Sequence, residues 1–216
     1  VGLFCIDSTE VTNAQYLEFL QTNPSLATQT SVCSWNMSYT PTSGWPFAAG
    51  QEQHPVVYVD WCDAAAYCAW AGKRLCGRIG GGSAAYTDYA NAMTIEQYHA
   101  CTGGGARTYP YGNTYDPRAC NGPDYDPQNP GTIPVGSLPT CTGGFPGIFD
   151  LSGNVAQWQD LCNGTTGPND ICRQGAAGYL SFASLPGETL GACNLDDSDP
   201  RQATYPDLGF RCCSDL

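Results

Sequence analysis

Apolar residues recur at helical spacing in three stretches of this chain. Thr12 opens the first. With Gln15 three residues later it forms the capping-box pattern, and Tyr16, Phe19 and Leu20 then line one face. Asp60 opens the second, whose apolar face runs through Trp61, Ala64, Ala65, Cys68 and Ala71 and stops at Gly72. Thr94 and Gln97 repeat the capping box ahead of Tyr98 and Cys101, predicting a third helix there. Elsewhere 26 Gly and 16 Pro interrupt every periodic run, and Gly80–Gly82, Gly103–Gly105 and Asp124–Gly131 read as loops. The pattern predicts an irregular α+β domain with few short helices, short strands and many ordered loops. No repeat and no linker is visible, so residues 1–216 are expected to form a single domain.

Cysteine content changes the picture. Thirteen cysteines in 216 residues suit an exported protein, because disulfides persist outside the reducing cytosol and limit the unfolded chain. No C-x2-C pair recurs and the only histidines are His54 and His99, so a disulfide framework is expected rather than zinc. An odd count leaves at least one cysteine free, joined to another chain, or joined to a segment absent here. The vicinal Cys212 and Cys213 are expected to have separate partners. The chain opens without a basic and apolar leader, so a signal peptide is expected to have been removed or to lie upstream. No run of about 18 apolar residues exists to span a membrane. The net charge of −12, with eight Lys+Arg, argues against nucleic acid and anionic lipid and is compatible with calcium.

Several segments, in order, resemble the formylglycine-generating enzyme (sulfatase-modifying factor) family, whose fold is a variant of the C-type lectin fold. They are Phe4–Asn13 with Gln15, Tyr16 and Phe19; His54–Trp61 running into Ala66–Leu75; Tyr109–Gly112; Thr132–Gly136; Phe149–Val155; and Leu208–Cys212. Together they reach from one end of the chain to the other. In the family a helix follows Lys73-Arg74-Leu75 at once; here a glycine-rich insertion, about 76–93, intervenes and Thr94–Cys101 is the displaced helix. The resemblance implies disulfides Cys68–Cys212 and Cys101–Cys193. Cys162 with Cys172, and Cys120 with Cys141, are close enough to close local loops, although connectivity stays open.

The chemistry that the resemblance implies is interrupted. Family members that oxidise a substrate cysteine to formylglycine have a Gly-Gly-Ser turn followed by two cysteines that bind copper, a metal suited to soft sulfur ligands. Here the turn reads Gly175-Ala176-Ala177, and no cysteine occurs from Arg173 to Ala192. The family's Gly-Asn-x-Trp-Glu-Trp motif reads Gly153-Asn154-Val155-Ala156-Gln157-Trp158. No copper is expected. One or two structural calcium ions are expected instead. The family's sites map onto the Asp150 side chain, the Gly153 and Val155 carbonyls and the Gln157 side chain, and onto Asn121, the Gly122 carbonyl and Asp126 or Asp124. Gln157 stands where a glutamate is usual.

Neither histidine is placed for a Ser–His–Asp site, and both read as structural. Trp61 and Trp70 read as core. Trp35, Trp45 and Phe47, in a Pro/Ser/Thr-rich loop, are candidate ligand contacts or covers of a small core. Asn36-Met37-Ser38 and Asn163-Gly164-Thr165 match the glycosylation sequon. The expected function is that of a secreted, non-catalytic, calcium-stabilised binding or surface-assembly module, its partner a protein or a glycan. The alternatives are an oxidoreductase of the same family, working through cysteines elsewhere, and a self-assembling structural subunit of an extracellular assembly.

Overall fold

The computed structural model describes residues 2–180 and 190–216. Its helices are α1 (Asn13–Gln21), α2 (Trp61–Trp70) and α3 (Glu96–Thr102). Its strands are β1 (Cys5–Ile6), β2 (Arg74–Leu75), β3 (Ala156–Cys162), β4 (Ile171–Gly175), β5 (Asp197–Pro200), β6 (Leu208–Gly209) and β7 (Cys212–Ser214). One sheet has the order β1-β7-β2, antiparallel throughout, and joins the two ends of the chain through the pairs Cys5 with Ser214 and Ile6 with Cys213. The other has the order β5-β4-β3-β6, in which only β6 runs parallel to its neighbour. Loops supply the rest, as so much glycine and proline dictates.

Helix α1 begins where the spacing predicts. Gln15 N–H donates to Thr12 Oγ1 at 3.2 Å, and Thr12 N–H donates to Gln15 Oε1 at 2.9 Å. Helix α3 departs from the prediction: its cap is Ile95, which offers no side-chain bond, and Thr94 lies outside the helix. Gln97, the supposed return arm of that box, is 2% exposed, and its Nε2 donates to Gln157 Oε1, 60 residues away. A buried amide partner outweighs a surface cap, because leaving that amide unsatisfied costs about 1–3 kcal/mol.

The main core gathers α1, α2 and the end of the chain. The rings of Tyr16, Phe19, Tyr67 and Phe210 pack with centroids 5.4–6.2 Å apart, Tyr16 and Tyr67 stacked and the others edge-on or tilted. Trp61 is in this core, but Trp70 is not: it is 43% exposed, because α2 ends there and carries its last turn past the core. Six disulfides pin the loops: Cys33–Cys62, Cys68–Cys212, Cys76–Cys213, Cys101–Cys193, Cys120–Cys141 and Cys162–Cys172. Cys212 and Cys213 take separate partners because neighbouring side chains on β7 leave opposite faces of the sheet. Cys5, exposed on edge strand β1, is the free thiol.

Helix α2 is capped by two buried carboxyl groups. Asp63 N–H donates to Asp60 Oδ1, Asp60 N–H donates to Asp63 Oδ2, and Asn36 Nδ2 donates to Asp63 Oδ1. Burial pushes the Asp60 pKa up to about 6, and burial together with the Asp60 charge pushes Asp63 up as well. An acid whose pKa is higher folded than unfolded adds stability below its unfolded value, near 3.8, and loses that contribution as pH rises through about 6. The shift at Asp60 corresponds to about 3 kcal/mol. The thermal midpoint should therefore rise as pH falls from 7 towards 4.5. Asp60→Asn, which keeps a capping oxygen, should flatten that slope. A wild-type midpoint that falls over this range would contradict the assignment.

Candidate functional site

The position that the resemblance assigns to oxidase chemistry lies just beyond β4. Gly175 is paired with Gln157 across the sheet and has no room for a side chain: a Cβ there would lie 2.4 Å from Gln159 Nε2 and 2.7 Å from Gln97 Cδ. Ala177 follows, fully buried. The hollow beside it, walled by Tyr115, Pro117 and Leu190, has a volume of only about 10 Å³ among the described residues. That is room for about one water molecule. Part of the cysteine-free interval, 181–189, lies outside the described residues; its sequence still supplies no sulfur.

Behind β3 lies a buried polar core that pattern reading did not assemble. Arg211 is 1% exposed. Its Nε donates to Gln157 Oε1 at 2.6 Å, Nη1 to the Asp7 carbonyl at 3.1 Å, and Nη2 to the Phe149 and Asp150 carbonyls at 2.8 and 3.0 Å. Glu10, 1% exposed, receives no hydrogen bond from any described N–H or O–H at either carboxylate oxygen. Its neighbours in charge are Asp150 and Arg211. Burial first, and the Asp150 charge second, hold the Glu10 pKa well above the usual carboxylate range. The Glu10 and Asp150 side chains face each other, and the Asp150 Oδ2 accepts from Gly136 N–H at 2.6 Å. Glu10 and Arg211 stand inside the quoted segments. The available signal for Arg211 was a charged residue embedded in an apolar run; Glu10, among Ser8, Thr9 and Thr12, had none.

This network decides how the first calcium set fits. Gln157 Oε1 is occupied by Arg211 and by Gln97, and Gln157 Nε2 donates to the Asp150 carbonyl at 2.8 Å. The amide cannot be reversed, since that would set N–H against the guanidinium. A fixed cation 2.6 Å from the oxygen also repels a second one. Asp150 and Gln157 therefore do not converge on an ion, and the set with Gly153 and Val155 does not fit calcium as the resemblance implied.

The second set is different. Asn121 packs directly on Gly153, where a Cβ would lie 2.8 Å from the Asn121 carbonyl. Asn121 Nδ2 donates to the Gly131 carbonyl and to Asn154 Oδ1, which leaves Oδ1 without a donor among the described residues. The Gly122 carbonyl accepts from Tyr125 N–H, Asp126 caps Asn129, and Asp124 accepts from the Tyr115 hydroxyl. These are hard oxygen donors on one loop, the type calcium takes. Among the described residues only Cys76, Glu96 and Cys213 bring three ligand-type atoms together. Those two sulfurs form a disulfide and Glu96 is paired with Arg74, so this group holds no metal.

Of the three loop aromatics, Trp45 and Phe47 come together, with ring centroids 5.2 Å apart. They border a hollow of about 330 Å³ with Tyr58 and Tyr179. Trp45 also packs edge-on against Tyr16, while Trp35 packs on the core and donates to the Val32 carbonyl instead. Both histidines are engaged: His54 Nδ1 meets Thr132 Oγ1, and His99 stacks on Phe145. Asn36 is 6% exposed and bonded to Asp63, so the first sequon is closed to modification; Asn163 is exposed.

Short strands and helices held by disulfide-pinned loops, around an arginine-centred polar core and without a thiol pair after β4, define a cross-linked α+β domain of the C-type-lectin-like kind. The chain belongs to the sulfatase-modifying factor enzyme 1-like domain family, whose profile matches residues 1–216. It is 25% identical over 251 residues to the mouse protein named inactive C-alpha-formylglycine-generating enzyme 2, covering 98% of this chain and 75% of the relative. To the mouse formylglycine-generating enzyme it is 27% identical over 190 residues, covering 76% of this chain and 45% of the relative. Among solved structures, CarF superposes with a TM-score of 0.63 at 21% identity over 99% of this chain and 86% of that one. PvdO from Pseudomonas aeruginosa gives 0.64 at 18% identity over 99% and 80%. The last two likenesses concern the fold alone. No described helix is long and apolar enough to cross a membrane.

Proposed function

We propose that this protein is a secreted, non-catalytic member of its family, serving as a binding or surface-assembly module. The observation that carries this reading is the interval from Arg173 to Ala192, which contains no cysteine where the family's oxidases hold copper. The small size of the hollow at Ala177, about 10 Å³ among the described residues, is consistent with it. The named inactivity of a relative of similar extent points the same way. Secretion is supported by six disulfides, which a reducing cytosol would not maintain. Incubation of the purified protein with copper, oxygen and a Cys-x-Pro-x-Arg peptide is expected to leave the cysteine unchanged by mass spectrometry. Formation of formylglycine would overturn the proposal.

Calcium belongs to the proposal at one place only, the loop of Asn121, Gly122 and Asp126 or Asp124. An ion there orders a segment that lacks a hydrogen-bonded ladder. Extracellular calcium modules bind at about 0.1–1 mM, and tenfold excess over such a constant adds about 1.4 kcal/mol. Calcium added to chelator-treated protein should raise the thermal midpoint, and Asp124→Asn with Asp126→Asn should remove the rise. An unchanged midpoint in the wild type excludes the ion.

A further inference from the structure

A cavity of about 400 Å³ opens between α1, α2 and the segment that follows α1. Phe19, Tyr39 and Trp70 form an aromatic wall, and Ala65, Ala66 and Ala69 on α2 present methyl groups as its floor. Phe19 and Trp70 lean together at 5.6 Å between centroids, which fixes the orientation of the otherwise exposed Trp70 ring. The Cys33–Cys62 disulfide closes the inner end and ties the segment 22–33 to α2. Binding cavities for small organic molecules run from about 300 to 1,000 Å³ and are mostly apolar, so this one is large enough.

Its chemistry narrows the ligand. No Asp, Glu, Lys, Arg or His lines it, although the chain carries 20 acidic residues and a net charge of −12. A charged ligand would lose its hydration there without gaining a counter-charge. Two hydroxyls at the rim have spent their protons inside the protein, and the buried Gln29 Oε1 receives no hydrogen bond among the described residues. Thr22 Oγ1 donates to the Phe19 carbonyl, Thr28 Oγ1 donates to the Ser25 carbonyl, and Ser25 Oγ accepts from Ala27 N–H. Thr22, Thr28 and Gln29 therefore offer lone pairs towards the cavity, which suit a ligand that donates. Aromatic and methyl walls facing one another suit a ring.

We propose that this cavity is a binding site for a neutral, ring-bearing small molecule with one hydroxyl or amine donor, such as a phenol, an indole or an aryl amine. The site does not depend on the absence of oxidase chemistry, so the peptide assay above and the assay here fail or succeed separately. The test is fluorescence titration of the intact, oxidised chain with N-phenyl-1-naphthylamine, a neutral aryl amine that brightens in apolar surroundings. Saturable binding of one molecule per chain is expected. Ala69→Phe, which fills the cavity from an exposed helix position, should weaken it at least about tenfold, and so should Trp70→Ala. The anionic analogue 1-anilinonaphthalene-8-sulfonate should bind at least about tenfold more weakly than the neutral probe. Thermal midpoints check both variants: Ala69→Phe, at an exposed position, should stay near the wild type, and Trp70→Ala should stay folded with a lower midpoint from its lost contacts with Phe19 and Tyr67. The absence of saturation up to roughly 100 μM probe, undiminished affinity in a folded Ala69→Phe protein, or equal affinity for the anionic probe would overturn the assignment.

Discussion

Arg211→Met is expected to destabilise the protein by about 3–5 kcal/mol, a large part of the 5–15 kcal/mol that holds a typical domain folded. The guanidinium satisfies Gln157 Oε1 and the carbonyls of Asp7, Phe149 and Asp150 in one buried place. Methionine has similar length but donates nothing, so four acceptors from three separated segments lose a donor together, and among the described residues only Gln157 Oε1 and the Asp150 carbonyl keep another. It also removes the positive charge beside Glu10 and Asp150, the group that opposes the effect of burial on both. Arg211→Lys should recover only part of the loss, because a single ammonium cannot reproduce the planar fork. Urea unfolding measures the effect as a lower midpoint at unchanged slope. A loss under about 1 kcal/mol in the methionine variant would mean that the network is not what holds β3, β7 and the N-terminal segment together.

Removal of two disulfides at β7 should cost more than the sum of removing each. Cys68–Cys212 spans 144 residues and Cys76–Cys213 spans 137, so the two bridges close almost the same loop. With either one intact, the other closes a further ring of only roughly ten residues, worth about 2–3 kcal/mol in chain entropy. With both gone the larger loop also opens. The Cys101–Cys193 bridge shortcuts that loop, leaving a path of roughly 50 residues and a further cost of about 4 kcal/mol. Replacing both cysteines of one bridge by alanine should therefore lower stability by about 2–3 kcal/mol, and replacing all four by about 7 kcal/mol. Denaturant midpoints of the three variants decide the matter. Strict additivity would show that the bridges act through native packing rather than through the unfolded chain.

Much of the candidate site could be read from sequence wherever the relevant signal was an absence. The missing cysteines between Arg173 and Ala192 need no coordinates, since no folding can supply a sulfur that the chain lacks. The calcium set at Asp150 was less legible. Gln157 has the right element for a ligand atom, but whether its oxygen is available depends on Arg211, 54 residues away. The disulfides divide in the same way. Short separations made Cys120–Cys141 and Cys162–Cys172 candidates without fixing them, whereas Cys33–Cys62 and Cys76–Cys213 had no local signal to mark them.

By itself the sequence determined what depends on neighbours within one helical turn, or on composition. That covers the capping box of Thr12 and Gln15, the carboxylate cap at Asp60, the loop-rich α+β character and the loss of the copper ligands. The tertiary structure alone decided which side chains meet. It drew Gln97 away from its expected cap into the buried amide cluster, carried Trp70 out of the core to the wall of a cavity, and set the Arg211 guanidinium against the Gln157 side-chain oxygen. The physical reason is one of range. A cap or a turn is worth about 1 kcal/mol and acts between adjacent residues. Burial of a charge or an amide is worth several times that, and its partner comes from wherever the folded chain passes.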